Sequence, residues 1–451
     1  MTDPLWQRTG TELVALMASV DVSAREVIEA HLERIDEVNG WLNAAVLVAA
    51  DEARAAADAT DRARAAGETL GPLAGVPFTV KDGLDLAGHP TTYGIPAFAG
   101  NVAPVDDPTI GRLRSAGAIP IAKTNQPEMA MRLATDNPLF GLTRNPWHPD
   151  RTASGSSGGD ASAIASGMTP MGVGSDLGGS VRNPAYACGI AATKTSLGRL
   201  PVHGTSPRAS EALLGRQLMA VAGPMARSVA DLEAMLRVTV GRHPRDPRSV
   251  DVPHDGSSFV RRAAVPTDLP GGPIHPDARE AVRRAGEALA ADGWEVVDAT
   301  PPEMERCYDV WGRLLGEDFP MTMEALSAVI SDDGAHLIRS SMVFWPAGEV
   351  APQEVHIERH RLARQWALFL DEFPVLVLPT WYQPPFGHHD DLSDDLSVVR
   401  ALYDGVFTPI TPANVLGLPA TQIPVGCNAD GVPLGVQFMA DRHREDRTLA
   451  A

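Results

Sequence analysis

Residues 152–184 read TASGSSGGDASAIASGMTPMGVGSDLGGSVRNP, and this stretch decides how the chain is interpreted. Two glycine-rich clusters, one holding Ser156 and the other Ser180, are separated by an apolar run. Glycine loses more backbone entropy on ordering than any other residue, so its clusters mark places where the backbone turns sharply or approaches another group closely. The pattern predicts two loops that converge on one site.

The composition is that of an acidic globular protein. The chain has 451 residues, a formal net charge of −19 and 44% hydrophobic residues, which suffices for a large core and argues against nucleic acid or anionic membranes as partners. Three widely spaced cysteines offer neither a disulfide framework nor a CxxC metal site and fit a reducing compartment. The N-terminal MTDPLWQRTG does not resemble a signal peptide, and no apolar run approaches the ~18 residues of a membrane span. We therefore expect a cytoplasmic monomer or homodimer.

Capping signals and apolar periodicity predict a helical layer over residues 1–66. TGTE at 9–12 and SARE at 23–26 are capping boxes, each followed by apolar residues at helical spacing. The alanine-rich run 49–66 is expected to form a third, more exposed helix. This layer is expected to pack against the core and to carry no chemistry.

Beyond residue 70 the pattern changes to strand, helix and strand. Residues 76–80 and 118–122 are typical of buried strands, and 107–117 of the helix between them. This alternation predicts an α/β layer architecture. Further along, residues 408–439 contain two strand-like runs around a turn at 428–431.

No internal repeat divides the chain, so we predict a single domain over 1–451. Its catalytic core is placed at 71–236. The aromatic-rich segment 300–350 is expected to pack in the core and to supply part of a substrate pocket or lid. The final residues, EDRTLAA, are typical of the first turn of a helix that would be cut short at Ala451.

Lysine is rare in this chain, and Lys81 directly follows the apolar run VPFTV. An amine at the end of a buried strand lies in or near a low dielectric, which lowers its pKa and lets the neutral form act as a base. The alternative is an ordinary surface lysine at a strand end.

The second glycine cluster offers a row of backbone N–H groups from Leu177, Gly178, Gly179 and Ser180. Glycines allow successive N–H groups to point the same way, as an oxyanion hole requires. A simple turn or a phosphate cradle is the alternative, although no Gly-Lys-Ser/Thr sequence follows to complete a P-loop.

A second nucleophile must also be considered, because Gly155, Ser157 and Gly159 match the G-x-S-x-G elbow of α/β-hydrolases. That elbow requires a strand before the serine. The preceding residues, HPDRTAS, are polar and include a proline, so the match is interpreted as accidental.

Taken together, these motifs resemble the amidase signature family over most of the chain. The matching segments are AGVPFTVKD at 74–82, AKTNQPEMAM at 122–131, FGLTRNPW at 140–147, the stretch 152–184, GPMARSVADL at 223–232 and GLPATQIPVG at 417–426. The resemblance implies an α/β fold with a central mixed, twisted β-sheet covered by helices on both faces. It also implies hydrolysis of C–N amide bonds without a metal or organic cofactor.

The resemblance assigns roles to individual residues. Ser180 is the acylating nucleophile, Ser156 relays the proton after a cis Gly155–Ser156 peptide, and Lys81 is the base. The remaining assignments are an oxyanion hole at Leu177, Gly178, Gly179 and Ser180, a supporting pair of Asp176 and Arg182, and Ser157 as a residue that bonds the lysine or supports the loop.

The substrate pocket is expected from the variable segments 129–135, 203–220 and 305–350. Its candidate lining residues are Met129, Ala130, Met131, Leu133 and Thr135. These segments are moderately apolar, which favours a neutral aryl or alkyl substrate.

Two positions depart from the usual family pattern, Ser154 before the first glycine loop and Asp160 after it. Neither is expected to touch the catalytic triad. Arg132 has no assigned role.

The predicted activity is therefore acyl transfer from a small-molecule amide, ester or carbamate to Ser180, followed by hydrolysis. Two alternatives remain open. One is a glutaminase component similar to the A-subunit of a glutamyl-tRNA amidotransferase, which needs partner proteins. The other is a catalytically silent binding module, against which the intact set of Lys81, Ser156 and Ser180 argues.

Overall fold

The computed structural model describes residues 3–204 and 211–451, so residues 205–210 of the predicted pocket segment lie outside the described residues. The described residues form one mixed β-sheet of eleven strands with helices packed against it, as predicted. The strands are β1 (Ala45–Val48), β2 (Pro77–Lys81), β3 (Ile119–Thr124), β4 (Met171–Asp176), β5 (Ala191–Lys194), β6 (Val221–Ala226), β7 (Arg262–Ala264), β8 (Glu295–Val297), β9 (Val375–Pro379), β10 (Ala420–Cys427) and β11 (Pro433–Met439). They lie side by side in the order β1-β3-β2-β4-β6-β5-β10-β11-β9-β7-β8.

The α-helices of the described residues surround this sheet. They are α1 (Gly10–Ala18), α2 (Ala24–Leu42), α3 (Ala50–Ala65), α4 (Pro108–Ser115), α5 (Gly158–Ser166), α6 (Arg182–Cys188), α7 (Leu214–Met219), α8 (Val229–Thr239), α9 (Pro276–Ala291), α10 (Met304–Leu326), α11 (Asp332–Phe344), α12 (Pro352–Glu372), α13 (Leu396–Leu416) and α14 (Glu445–Ala450). Within the ranges that the structure describes, none of these helices combines the length and apolar character needed to cross a membrane.

The strand that positions the site is β2, which pairs in parallel with β3 on one side and β4 on the other. Val80 lies opposite Lys123 of β3 and Val173 of β4. Parallel neighbours end at the same edge of a sheet, where α/β proteins characteristically place their ligand sites. Lys81 and Asp176, the last residues of β2 and β4, therefore lie at one edge.

The N-terminal layer is helical except for one strand. Both capping boxes form, with Thr9 starting α1 and Ser23 starting α2. Between α2 and α3 the chain adds β1, which pairs antiparallel with β3 and was not predicted. Asn43 ends α2 in the left-handed conformation with φ of 52°. The four residues of β1 are too few to show a strand period in the sequence.

Residues 408–416, at the start of the segment predicted to be strand-like, are helical and complete α13 despite Pro409 and Pro412. A proline cannot donate to the carbonyl four residues earlier. The carbonyl of Gly405, which Pro409 leaves without its helical partner, accepts instead from the N–H of Tyr382 at 2.8 Å. A tertiary hydrogen bond thus replaces the missing helical bond. The two runs that follow form β10 and β11 as predicted.

The aromatic-rich segment 300–350 forms α10 and α11, and α10 packs on α12 and α13. Its largest side chains are in the core, since Trp311, Phe319 and Trp345 are at most 3% exposed. Trp311 lies beside Phe407 of α13 with ring centroids 4.6 Å apart. The predicted packing role of these aromatic residues is confirmed.

Candidate active site

Lys81 ends β2 with its side chain fully buried. Its Nζ donates to Ser156 Oγ at 2.5 Å and to Ser175 Oγ at 3.1 Å. The structure therefore brings two of the three predicted catalytic residues into direct contact. The sequence analysis missed Ser175, because the parallel register that sets it beside the end of β2 is not visible in a single sequence.

The protonation of this amine is governed by burial. Removal from water disfavours the ammonium form and lowers the pKa of Lys81 well below its usual range. The carboxylates of Asp160, Asp176 and Asp82 oppose that shift, and Arg216 adds to it. The neutral amine is thus accessible at a much lower pH than in an exposed lysine.

The chain contains three lysines, and all three are buried: Lys81, Lys123 and Lys194. Lys123 and Lys194 donate mainly to main-chain carbonyls, which hold an amine in place but do not pass a proton on. Lys81 donates to two serine hydroxyls, which can both accept and donate. Of the three lysines, Lys81 is thus the one bonded to groups that can pass a proton on, as the predicted relay requires.

Ser156 is fully buried and follows a cis peptide bond from Gly155, the arrangement that the family resemblance implies. A Cβ atom at Gly155 would lie 2.1 Å from the carbonyl oxygen of Arg132, so only glycine fits there. The hydroxyl of Thr135 donates to the carbonyl of Ser154 at 2.7 Å. The predicted pocket segment 129–135 thus holds the first glycine loop in place through this hydrogen bond.

Ser180 is half-buried and lies in the loop between β4 and α6. Its carbonyl accepts from the backbone N–H of Ser157 at 3.1 Å, which ties the two glycine loops together. In the part of the chain that the structure describes, no hydrogen bond joins Ser180 Oγ to Ser156 Oγ. The step of the relay between these hydroxyls stays a prediction.

Of the four N–H groups expected to hold an oxyanion, one is engaged elsewhere. The N–H of Gly179 donates to Asp176 Oδ1 at 2.9 Å. For the N–H groups of Leu177, Gly178 and Ser180, no acceptor is found among residues 3–204 and 211–451. These three donors are the ones available for a developing negative charge.

Asp176 and Arg182, the predicted supporting pair, form a fully buried ion pair with nitrogen–oxygen distances of 3.2 Å. Burial opposes ionisation of Asp176, but the charge and hydrogen bonds of Arg182 hold the pKa of that carboxyl below its usual range. Arg182 also donates to Asn414 and Gln437, both at 2.7 Å. The pair thus fastens the Ser180 loop to the C-terminal third of the chain.

Ser157, the candidate of the G-x-S-x-G interpretation, has a buried hydroxyl that finds no hydrogen-bond partner within the described ranges. A Cβ atom at Gly174 would lie 2.5 Å from this hydroxyl, so glycine on β4 provides its space. The residues before it do not form a strand, and α5 begins at Gly158. The geometry does not match a nucleophile elbow, and Ser157 contributes through its backbone N–H.

The predicted pocket residues fall into two groups. Met129, Ala130 and Met131 are partly exposed, and Leu133 is buried in the same apolar cluster as Trp311. Thr135 is fully buried and its hydroxyl is used by Ser154, so it holds the loop instead of facing open space.

Arg132, which the sequence left unassigned, forms a bidentate pair with Asp391 at 3.1 Å in a nearly unexposed setting. Two parallel hydrogen bonds make this one of the stronger kinds of protein ion pair. The charge of Arg132 is therefore neutralised within the protein.

Asp160 is the departure from the family pattern that reaches the site. Its Oδ1 accepts from Thr79 Oγ1 at 2.9 Å, and its side chain is fully buried. Thr79 and Lys81 are two residues apart on β2 and face the same side of the sheet. Within the described residues, no hydrogen bond or ion pair joins Asp160 to Lys81, Ser156 or Ser180. Its charge nevertheless raises the pKa of Lys81, against the larger effect of burial. Burial raises the pKa of Asp160 in turn.

The arrangement combines a buried amine with a low pKa, a hydroxyl bonded to it, and an adjacent serine in a loop with free N–H groups. It can take a proton from a nucleophile and return it to a leaving group. In the described parts of the chain, no group of three or more His, Cys, Asp or Glu side chains is placed to hold a metal ion.

Known proteins resemble this chain over nearly its whole length. The sequence model of the family described as Amidase matches residues 26–449. An indoleacetamide hydrolase of Bradyrhizobium diazoefficiens is 37% identical over 99% of this chain and 86% of its own length. The A-subunit of a glutamyl-tRNA(Gln) amidotransferase from Acidothermus cellulolyticus is 34% identical over 98% of this chain and 92% of its own. The crystal structure of a bacterial aryl acylamidase of the amidase signature family superposes with a TM-score of 0.83, at 27% identity over 100% of this chain and 96% of its own.

Replacing Lys81 with alanine is expected to lower amide hydrolysis by about 10²- to 10⁴-fold, the range for loss of a general base. The loss on a p-nitrophenyl ester should be smaller, because nitrophenolate leaves without a returned proton whereas an amine does not. In the wild type, the rate should rise with pH through one ionisation that lies below the ordinary lysine value of ~10.4, since only the neutral amine is active. Rates of p-nitroacetanilide and p-nitrophenyl acetate hydrolysis against pH measure both effects. A mutant that keeps the wild-type profile, or an optimum near pH ~6 set by a histidine, would remove Lys81 from the mechanism.

Replacing Asp160 with asparagine is expected to move the rise in rate to lower pH. The Asp160 carboxylate favours the ammonium form of Lys81, so its removal lowers the lysine pKa further. Thr79→Val is the matched control, because it keeps the Asp160 carboxyl and removes only a hydrogen bond that favours its ionised form. Its shift should therefore be in the same direction and smaller. The measurement is the pH at which the hydrolysis rate rises in each of the two variants, compared with the wild type. A shift to higher pH in Asp160→Asn, or the same shift in both variants, would contradict this account.

Proposed function

The chain belongs to the amidase signature family of amide-cleaving hydrolases, and on that premise we propose that it hydrolyses small neutral aryl or alkyl amides through an acyl-enzyme on Ser180. The observation that carries this proposal is the 2.5 Å hydrogen bond from Lys81 Nζ to Ser156 Oγ. It lies in a fully buried setting beside the loop that holds Ser180.

In the proposed mechanism, neutral Lys81 accepts the proton of Ser156 while Ser156 takes that of Ser180. Ser180 Oγ attacks the amide carbonyl, and backbone N–H groups of its own loop hold the oxyanion. The proton returns through Ser156 to the leaving amine, and the C–N bond breaks. Water then hydrolyses the acyl-enzyme by the same relay. Asp176 and Arg182 keep the loop in place throughout.

The surroundings of Ser180 favour a neutral substrate. The ring of Trp311 lies against Gly178, and Ile410 lies against Gly179. The guanidinium of Arg132 is already bound to Asp391, so it does not offer a charge to an anionic substrate. Similarity to the indoleacetamide hydrolase makes indoleacetamide the first substrate to test. Esters and carbamates present the same carbonyl and are proposed as further substrates.

The second candidate function is release of ammonia from glutamine, as the glutaminase component of an amidotransferase. It is supported by the 34% identity to such a component over nearly the full length of both chains. It requires partner proteins, whereas the first function fits a cytoplasmic monomer or homodimer. It also requires charged groups that bind the α-amino and α-carboxyl groups of glutamine. The charges of Arg132 and Asp391 do not serve this purpose, because the two side chains are bonded to each other.

A substrate comparison with Ser180→Ala tests the proposal. Purified protein is assayed on indoleacetamide, p-nitroacetanilide, matched ester and carbamate substrates, and glutamine. Ser180→Ala should lose on the order of 10⁶ in turnover while remaining folded, because it removes a small nucleophile and leaves little cavity. Ser157→Ala is the control and should retain most activity, since its hydroxyl has no partner in the described residues.

Each alternative has its own signature in this assay. Glutamine hydrolysis with no turnover of the neutral amides would support the amidotransferase component. Failure of the wild type both to turn over any amide and to react with a fluorophosphonate would support the silent binding module. Loss of labelling in Ser157→Ala, with Ser180→Ala still labelled, would move the nucleophile to Ser157.

A further inference from the structure

The loop that carries the proposed nucleophile is held by its carbonyl groups, one after another. The carbonyl of Leu177 accepts from Trp311 Nε1 at 3.0 Å. That of Gly178 accepts from Asn183 Nδ2 at 3.2 Å, and that of Gly179 from the Asn183 N–H at 2.6 Å. The carbonyl of Ser180 accepts from the N–H of Ser157. Four consecutive peptide groups therefore have a fixed orientation.

Orienting a carbonyl also orients the next N–H. The cis peptide bond of the described residues joins Gly155 and Ser156, so the peptides of this loop are trans. In a planar trans peptide the C=O of one residue and the N–H of the next point in opposite directions. A donor that holds one carbonyl thus aims the following N–H at the other side of the loop.

The N–H groups of these four peptides differ in whether they find an acceptor. The N–H groups of Gly179 and Val181 point back to Asp176, which accepts them at 2.9 and 3.2 Å. For the N–H groups of Gly178 and Ser180, which precede Gly179 and Val181 respectively, the described residues offer no acceptor. Asp176 therefore takes up two N–H groups of this loop, while those of Gly178 and Ser180 stay without an acceptor in the described part of the chain.

Trp311 is the residue that fixes the first of the unsatisfied donors. It lies 134 positions beyond Leu177 in the sequence, on α10, and is 3% exposed. A Cβ atom at Gly178 would lie 2.7 Å from Trp311 Cζ2, so the indole ring touches the loop directly. The ring itself packs on Phe407, with ring centroids 4.6 Å apart. A rigid donor from the C-terminal half thus defines the direction of the Gly178 N–H.

We propose that Trp311 is a positioning residue of the oxyanion hole: its indole N–H, by holding the Leu177 carbonyl, aims the Gly178 N–H at the substrate oxygen. This inference rests on the proposed hydrolase function, because it assigns the free N–H groups to the oxyanion of that reaction. It goes beyond packing, which is the role that the sequence suggests for a tryptophan in this segment.

A neighbouring tryptophan, Trp345, allows a positioning role of Trp311 to be distinguished from a packing role. Trp345 belongs to the same aromatic cluster and is equally buried, but its Nε1 donates to Asp309 at 3.3 Å and does not reach the loop. Trp311→Phe and Trp345→Phe therefore remove similar volume and one N–H each. They differ in whether the lost hydrogen bond holds the Leu177 carbonyl.

The experiment compares these two variants with the wild type in the full chain. One readout is kcat and KM on p-nitroacetanilide and indoleacetamide. The second is the rate of labelling by a fluorophosphonate, whose phosphoryl oxygen also enters the oxyanion hole. The third is affinity for a phenylboronic acid, which forms a tetrahedral adduct with the nucleophile, against affinity for the product carboxylic acid.

Trp311→Phe is expected to lower kcat and the labelling rate about 10-fold, less than the ~10²- to 10³-fold cost of deleting an oxyanion donor. Boronate affinity should fall by the same factor, with KM and product affinity within twofold of wild type. Trp345→Phe should leave all of these within twofold. If Trp311→Phe does not fold, benzothienylalanine at position 311 keeps the ring shape and replaces the N–H by sulfur.

Equal losses in the two variants, or a loss confined to KM, would reduce Trp311 to a packing residue and overturn the inference. So would unchanged kcat and boronate affinity in Trp311→Phe. Failure of the proposed function looks different, because the wild type itself would then neither turn over an amide nor react with the fluorophosphonate.

Discussion

The cost of burying a charged amine is the constraint on which this site depends. Lys81 ends a central strand, and among the described residues its Nζ reaches two serine hydroxyls and no carboxylate directly. An isolated ammonium is expensive in such surroundings, so burial favours the neutral form. Glycines at 172 and 174 on the neighbouring strand leave room for Thr79 and Ser157, which shows how closely the backbone approaches here. A fold that kept this lysine at the surface would leave its amine protonated at neutral pH.

The second requirement of the proposed mechanism is a rigid loop to hold the oxyanion, and the Ser180 loop is held by groups from distant parts of the chain. Asp176 draws two N–H groups to one side, and Arg182 fixes Asp176 while bonding Asn414 and Gln437. A fully connected buried polar network of this kind specifies one arrangement, because each broken bond leaves a desolvated group behind. The site is therefore built by the whole domain and not by its glycine-rich segment alone.

The sequence predicted the parts of this site that are local. Capping boxes, the strand ending at Lys81 and the two glycine loops each have a signature within about ten residues. The partners that complete the site do not, because they depend on register and on contacts between remote segments. Ser175 is set by the parallel pairing of β2 and β4, Asp391 lies 259 positions from Arg132, and the helix through Pro409 is completed by the main chain of Tyr382. The effect of the Asp160 charge on Lys81 is not visible in the sequence for the same reason, since Asp160 is held by a hydrogen bond to Thr79 on the strand that Lys81 ends.

The central claim is that Lys81 is a base that becomes neutral at the pH where the enzyme works. It can be measured directly, because the chain has three lysines and selective labelling with [¹³Cε,¹⁵Nζ]-lysine gives three side-chain signals. Arginine variants at Lys123 and Lys194 assign the other two, and the pH titration of the Lys81 signal is followed by NMR beside the pH–rate profile. The account predicts a Lys81 midpoint well below the ordinary ~10.4 that coincides with the rise in amide hydrolysis. A Lys81 signal that stays protonated up to the ordinary lysine value, or a midpoint that does not match the rate profile, would contradict it.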